Sequence, residues 1–187
     1  MHLLEHLHQG QKRKDGSAYT THLYAVREIL ETAGVTDKTL LAAALLHDIL
    51  EDSALSKEYL ALKFGERVAD IVEFLTKNAA WNTAYCRMKS NLDEMETIWM
   101  DYPEAILIKM ADRLHNLRTI TGFTLAKQRE YLTETTDCLM PLFVTIGNRN
   151  HRGFKKYIQR LLPQLQQEIA QIAQRLALTP LTHGHQH

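Results

Sequence analysis

The chain has 187 residues and a mass of 21.5 kDa, a size that fits one domain or one domain with a helical appendage. Its 22 basic and 22 acidic residues give zero formal net charge, which argues against a general electrostatic attraction to DNA or RNA. No apolar run approaches the ~20 residues that span a bilayer, and the N-terminal residues lack the pattern of a signal peptide. We therefore expect a cytoplasmic protein with neither a nucleic-acid nor a membrane partner. Cys86 and Cys138 lie far apart without metal-type spacing and predict reduced thiols.

Helical periodicity runs through nearly the whole chain, and no window alternates apolar and polar residues for long enough to require a strand. The predicted helices cover, in chain order, residues 2–9, 19–33, 38–50, 57–64, 66–77, 83–100, 103–119, 125–146 and 151–178. This pattern predicts an all-α protein of eight or nine helices, with one domain over residues 1–146, a helical extension over 147–178 and a flexible tail over 179–187. The extension suits packing on the core or against another subunit, so the oligomeric state stays open.

The segment from Leu40 to Asp52 is apolar except for four ionisable side chains. These are His47, Asp48, Glu51 and Asp52. Their positions share one arc of an α-helix, because each residue turns the helix by about 100°. Carboxylates beside apolar surface are costly unless a cation compensates, and a divalent metal is the simplest compensation. The alternative is the polar end of a helix that reaches solvent.

A second polar face lies on the predicted helix over residues 103–119. It consists of Lys109, Asp112, Arg113 and Asn116. A carboxylate flanked by cations and an amide suits a pocket for a metal and phosphates, although ion-paired solvated faces have the same composition. Arg113 and the nearby Arg118 suit phosphate contacts and structural ion pairs equally. Upstream, His22 on an apolar helix face is a candidate ligand or a satisfied core histidine.

Together, the distant His22, the pair His47-Asp48 and the later Asp112 resemble the signature of HD-domain phosphohydrolases. The chain resembles most closely the hydrolase domain of the RelA/SpoT alarmone enzymes. Residues 8–22 are similar to its opening motif, residues 47–52 to its HDxxED motif and residues 109–119 to its KxADRLHNxRT motif. The resemblance spans residues 5–146 and implies an HD-domain helical bundle. We expect no synthetase domain, as in the single-domain small alarmone hydrolases.

The resemblance also implies roles for individual residues. It assigns one divalent metal, usually Mn²⁺ in this family, to His22, His47, Asp48 and Asp112. This mixed nitrogen and oxygen donor set suits Mn²⁺ and does not exclude Zn²⁺, Fe²⁺ or Co²⁺. The catalytic acidic pair would be Glu51 and Asp52, with the identity of the base left open. The substrate contacts would come from Arg13, Lys14, Lys109, Asn116 and Tyr131, while Tyr19 is expected to pack or hydrogen-bond near the site.

The implied reaction is hydrolysis of (p)ppGpp at the bond between the ribose 3′ oxygen and its pyrophosphate, giving GDP or GTP. A bound metal would polarise a phosphoryl oxygen and acidify a water molecule. One alternative is the same chemistry on another purine nucleotide, such as (p)ppApp or NADPH, because the motifs fix the metal chemistry better than the base. Another is a non-catalytic alarmone sensor, which the intact pair Glu51-Asp52 and the complete ligand set disfavour.

Overall fold

The computed structural model describes residues 10–13, 16–78, 101–148 and 153–178, together with Glu5 and Trp99. Its α-helices in chain order are α1 (Tyr19–Thr32), α2 (Lys38–Leu46), α3 (Ile49–Asp52), α4 (Lys57–Phe64), α5 (Glu66–Asn78), α6 (Pro103–Arg118), α7 (Leu125–Glu134), α8 (Met140–Asn148) and α9 (Lys155–Ala177). A 3₁₀ turn, Ile120–Gly122, follows α6, and a π-helical segment, Thr135–Leu139, joins α7 to α8. The described residues form no strand beyond an isolated bridge between Lys12 and Ala18. The predicted all-α fold is confirmed.

Side-chain caps explain why several helices begin where the sequence predicts. The Asp37 carboxylate accepts the Leu40 backbone N–H at 2.8 Å and fixes the start of α2. The Ser56 hydroxyl accepts the Tyr59 N–H in the same way at the start of α4. These side chains satisfy backbone donors that the first helical turn leaves without an intrahelical partner. At the other end of α4, Gly65 has a φ of +93°, a conformation that favours glycine and stops the helix.

Helix α6 lies at the centre of the bundle and packs against α1, α2, α5 and α9. Pro103 occupies its first turn, where the missing backbone N–H costs no helical hydrogen bond. Its fully buried apolar residues are Ala105, Ile106, Leu107, Ile108, Met110, Ala111, Leu114 and Leu117. Because these residues fix α6 in the core, the polar residues on its remaining face are held in a defined position.

The helix predicted over residues 38–50 is interrupted at His47 and Asp48. Helix α2 ends at Leu46, and a separate single turn, α3, starts at Ile49. The prediction of one helix through Leu50 is therefore wrong. Nδ1 of His47 lies 2.8 Å from the Ala44 carbonyl oxygen, which in a continued helix would accept the Asp48 N–H. The side chain thus competes with the backbone for that acceptor and favours the break.

Helix α9 packs on the core of its own chain, one of the two arrangements that the sequence left open. Leu161 and Leu165 are completely buried, and α9 contacts α6, α7 and α8. An Arg160 guanidinium nitrogen donates to the Ala33 carbonyl at 2.7 Å, and Arg118 on α6 forms an ion pair with Glu168 at 3.2 Å. The division into a domain ending at residue 146 and a separate extension stays a prediction.

The prediction of reduced thiols is wrong for Cys138, because this residue takes part in a disulfide bond. Spacing along the chain does not reveal which cysteines meet in space. Cys86, most of the predicted helices over 2–9 and 83–100, and the tail over 179–187 lie outside the described residues. The described helices include none that is long and apolar enough to cross a membrane. The cytoplasmic location stays a prediction.

Truncating Leu161 to alanine tests how far α9 contributes to the stability of the fold. Loss of a fully buried leucine is expected to lower the free energy of unfolding by about 3 kcal/mol, through lost burial and the resulting cavity. Urea unfolding followed by circular dichroism measures this change. Leu62→Ala is the control, because Leu62 is 81% exposed and its truncation should leave stability nearly unchanged. Equal stabilities of the two variants would contradict a structural role for α9.

Candidate metal centre and active site

Three side chains from consecutive helices converge at one point of the bundle. His22 comes from α1, while His47 and Asp48 come from the break between α2 and α3. One potential ligand atom of each lies within 4.8 Å of the others. His22 is 2% and His47 5% exposed, so both imidazoles are removed from bulk water beside a half-buried carboxylate. This arrangement brings together three of the four predicted metal ligands.

The fourth predicted ligand, Asp112 on α6, borders this cluster from the other side. Its Oδ1 lies 3.2 Å from Nε2 of His22, and its Oδ2 lies 3.6 Å from the Lys109 ammonium. Burial alone would raise the pKa of the Asp112 carboxyl. The hydrogen bond to His22 and the charge of Lys109 outweigh burial and hold this pKa well below its usual value. The carboxylate is therefore charged and available as an oxygen ligand.

His47 has the orientation expected of a metal ligand. Its Nδ1 lies 2.8 Å from the Ala44 carbonyl, a partner that leaves Nε2 unprotonated when Nδ1 carries the hydrogen. Nε2 is buried 3.2 Å from Oδ2 of Asp48 but has no hydrogen-bond partner among the described residues. Burial lowers the pKa of His47, but the Asp48 carboxylate outweighs burial and raises this pKa to about 9. In the metal-free protein the ring therefore holds a second proton on Nε2, which a bound cation would displace. A buried nitrogen without a hydrogen bond, facing carboxylates, fits a divalent cation.

Tyr19 completes the surroundings of Asp48. Its hydroxyl donates to Oδ2 of Asp48 at 2.5 Å, the oxygen that also faces the two imidazoles. Burial and the negative charges of Asp48 and Asp52 raise the pKa of the Tyr19 hydroxyl. The hydroxyl therefore keeps its proton and acts as a permanent donor that orients the carboxylate. The prediction that Tyr19 hydrogen-bonds near the site is confirmed.

Glu51 and Asp52 lie in α3, one helical turn after the predicted ligands His47 and Asp48, and both are exposed. Partial burial and the nearby Asp48 carboxylate raise the pKa of Glu51, while the Lys109 ammonium opposes the shift. A carboxyl group with a raised pKa holds a proton more readily than a free glutamate does. Two solvent-accessible carboxyl groups thus lie beside the predicted metal ligands, an arrangement that suits an acid–base pair.

A chain of hydrogen bonds joins Arg13 to Asp112, one of the predicted metal ligands. The Arg13 backbone N–H donates to the Ser17 carbonyl at 2.8 Å, which fixes the residue ahead of α1. Its guanidinium donates to the Asn116 amide oxygen at 2.8 Å, and the Asn116 amide nitrogen donates to Oδ1 of Asp112 at 2.6 Å. Two predicted substrate residues are therefore connected to a predicted ligand. Lys14 lies outside the described residues.

Tyr131, the remaining predicted substrate residue, lies on α7 beside the same face of α6. The Arg113 guanidinium stacks on its ring at 4.0 Å, and its hydroxyl is within hydrogen-bonding reach of Asn116. Burial raises the pKa of this hydroxyl, which stays protonated. Arg113 is 2% exposed and forms an ion pair with Glu134 at 3.0 Å. Of the two roles that the sequence allowed, a phosphate contact and a structural ion pair, the structure shows the ion pair.

Two further residues at the site received no role from the sequence. Nδ1 of His115 lies 2.8 Å from Nδ1 of His22, and the Thr119 hydroxyl accepts a hydrogen bond from Arg13 at 3.3 Å. Burial, followed by electrostatic interaction with the neighbouring His22 and with the Arg13 guanidinium, lowers the pKa of His115 to about 4. His115 follows Asp112 by three residues and Thr119 follows it by seven, spacings that place all three on one face of a helix. This spacing is the sequence signal that could have identified them.

Comparisons with known proteins identify the family of this chain. A family model described as HD domain matches residues 1–150. A probable guanosine-3′,5′-bis(diphosphate) 3′-pyrophosphohydrolase of Synechocystis is 36% identical over 143 residues, which cover 75% of this chain and 19% of the relative. A GTP pyrophosphokinase of Streptomyces coelicolor is also 36% identical over 143 residues, with coverage of 76% and 17%. The chain thus spans about a fifth of the length of the curated relatives it matches.

A solved structure of a metazoan orthologue of SpoT, which hydrolyses ppGpp, has a TM-score of 0.65 to this chain. The two are 24% identical, and the match covers 95% of this chain and 93% of the other. At this identity the likeness establishes the fold. The family model and the fold agree with the motifs around His22, His47-Asp48 and Asp112. The chain therefore belongs to the HD-domain family and has RelA/SpoT-type proteins among its relatives.

Proposed function

We propose that this protein is a metal-dependent hydrolase that removes pyrophosphate from the 3′ position of (p)ppGpp. The observation that carries the proposal is the convergence of two buried imidazoles and the Asp48 carboxylate within 4.8 Å, next to the exposed carboxyl groups of Glu51 and Asp52. A ligand cluster beside an acid–base pair suits hydrolysis of a phosphate ester. The name of the Synechocystis relative and the activity of the SpoT orthologue support the substrate class.

The metal ligands in this proposal are His22, His47, Asp48 and Asp112. Nitrogen and oxygen donors without thiolate favour Mn²⁺ among the common catalytic cations. When bound, such a cation supplies Lewis-acid activation of water and of the phosphoryl group. The protein prepares the site by burying the imidazoles, by orienting Asp48 through the Tyr19 hydroxyl and by holding the Asp112 carboxyl ionised.

The acidic pair performs the proton transfers. A water oxygen forms a bond to phosphorus, and a carboxylate of the Glu51-Asp52 pair accepts its proton. The bond between phosphorus and the ribose 3′ oxygen breaks, and the other carboxyl group of the pair, in its protonated form, donates a proton to that oxygen. A general base near the site contributes about 10²–10⁴-fold to such a reaction.

The proposed substrate contacts come from four residues. Arg13 and Tyr131 each contact Asn116, and Lys109 lies beside the predicted metal ligand Asp112. In our proposal the Arg13 guanidinium stacks on the purine, the Asn116 amide contacts the nucleoside, and Lys109 pairs with phosphate. Lys14 is proposed as a second cation for the phosphates. These groups recognise a purine nucleotide through features that guanine and adenine share.

Turnover of purified protein with added Mn²⁺ tests the proposed function. We expect ppGpp to yield GDP and pyrophosphate, resolved by anion-exchange chromatography, with ppApp and NADPH compared at equal concentration. EDTA in place of Mn²⁺ and the variant Asp48→Ala should each abolish the reaction. A preference for ppApp or NADPH would replace the substrate but keep the mechanism. Tight nucleotide binding without turnover of any of the three would indicate a sensor and overturn the proposed activity.

A further inference from the structure

His115 contacts a candidate metal ligand without belonging to the proposed ligand set. Its Nδ1 lies 2.8 Å from Nδ1 of His22, and the two ring centroids are 4.8 Å apart. The opposite nitrogen of His22, Nε2, faces the carboxylates, at 3.2 Å from Asp112 and 4.0 Å from Asp48. His22 therefore lies between His115 on one side and the oxygen ligands on the other.

The positions of the ring protons follow from this arrangement. A neutral imidazole has one N–H, so a His22 that binds a cation through Nε2 carries its hydrogen on Nδ1. The Nδ1–H group then donates to Nδ1 of His115, whose own hydrogen is on Nε2. A metal-binding histidine nearly always donates a hydrogen bond from the N–H group of its other ring nitrogen, which fixes the tautomer and the ring orientation. Here the acceptor is a second imidazole.

We infer that His115 is a positioning residue that selects the metal-binding tautomer of His22. Because His115 follows the ligand Asp112 by three residues on α6, one rigid helix supplies both a ligand and the group that orients another ligand. The inference deepens the proposed function and rests on the proposed metal site. It also gives a chemical role to the histidine in the segment Asp112-Arg113-Leu114-His115-Asn116.

Two variants of His115 separate hydrogen bonding from packing. His115→Leu removes the acceptor and keeps an apolar side chain of similar size. His115→Asn retains an acceptor oxygen at about the distance of Nδ1 from the backbone. Mn²⁺ binding to the metal-free protein, measured by electron paramagnetic resonance of the free ion, is expected to weaken about 10–100-fold in the leucine variant. The asparagine variant should recover most of this affinity.

A second measurement reads the tautomer directly. With Zn²⁺ as a diamagnetic probe, the ring ¹⁵N shifts of His22 should show a protonated Nδ1 in the wild type, and a changed proton distribution or ring environment in His115→Leu. Glu104→Gln is the matched control on α6, because Glu104 pairs with Arg67 at 2.7 Å, three turns from His115. This variant should bind Mn²⁺ as the wild type does. Thermal unfolding of each metal-free variant reports any effect on the fold itself.

The outcomes distinguish this inference from the proposed function. Wild-type Mn²⁺ affinity in His115→Leu would overturn the inference and leave the metal site intact. Equal loss of affinity in the leucine and asparagine variants, together with equal loss of stability, would show a packing role and also overturn it. Absence of Mn²⁺ binding by the wild type would overturn the proposed function itself.

Discussion

Replacing Asp48 with asparagine is expected to abolish measurable Mn²⁺ binding and to lower turnover of ppGpp by about 10³-fold or more. One oxygen of Asp48 faces Nε2 of His47 at 3.2 Å and Nε2 of His22 at 4.0 Å, and it also accepts the Tyr19 hydroxyl. Asparagine keeps the shape of the side chain but removes the charge that a cation requires. Isothermal titration with Mn²⁺ and initial rates with ppGpp measure the two effects.

Asp70→Asn is the matched control for this change. Asp70 lies on α5, where it forms an ion pair with Lys57 at 2.7 Å, and it belongs to neither the ligand set nor the acidic pair. We expect its asparagine variant to bind Mn²⁺ and turn over substrate at the wild-type level. Retention of wild-type Mn²⁺ affinity by Asp48→Asn would contradict the assignment of Asp48 as a ligand.

Replacing either carboxyl group of the acidic pair by an amide should lower kcat without weakening Mn²⁺ binding. We expect Glu51→Gln and Asp52→Asn to keep Mn²⁺ affinity, while the residue that acts as the base loses about 10²–10⁴-fold in kcat. The reason is that both side chains are exposed beside the group of His22, His47 and Asp48 and do not belong to it, which suits the proposed proton transfer better than metal binding. Rates at saturating Mn²⁺, compared between the two variants, identify the base.

The exposed Glu58 on α4 provides the control for loss of an acidic side chain, because Glu58→Gln should not alter kcat. Two results would count against the assignment. Both acidic variants could retain wild-type kcat, which would leave the proton transfer without a protein base. Alternatively, both could lose Mn²⁺ binding in parallel with activity, which would make them ligands and not acid–base groups.

The sequence predicted helices well where local chemistry determines their ends. Ser56 and Gly65 delimit α4, and Pro103 marks the start of α6, because caps and proline act within a few residues. The break at His47-Asp48 could not be predicted from the apolar periodicity, which continues through it. It depends on the contact between the His47 ring and the Ala44 carbonyl, a choice of side-chain conformation that periodicity does not encode.

The candidate site was predicted by motif, while its connections required the structure. His22, His47-Asp48 and Asp112 follow from their order along the chain, and the structure places them together. The link from Arg13 through Asn116 to Asp112 joins residues about a hundred positions apart, which no local pattern reveals. The pairing of Arg113 with Glu134 likewise required knowledge of where α7 packs.

The central position of α6 makes the site a property of the completed tertiary structure. An N-terminal fragment ending after α3 would contain His22, His47 and Asp48 but would lack Asp112, which α6 supplies. The same helix provides much of the hydrophobic core, so the four predicted ligands lie together only in the folded chain. A cation that binds only the native chain stabilises it by mass action, since the unfolded chain offers no assembled site. Mn²⁺ binding at the proposed metal site would thus measure whether the whole fold is intact.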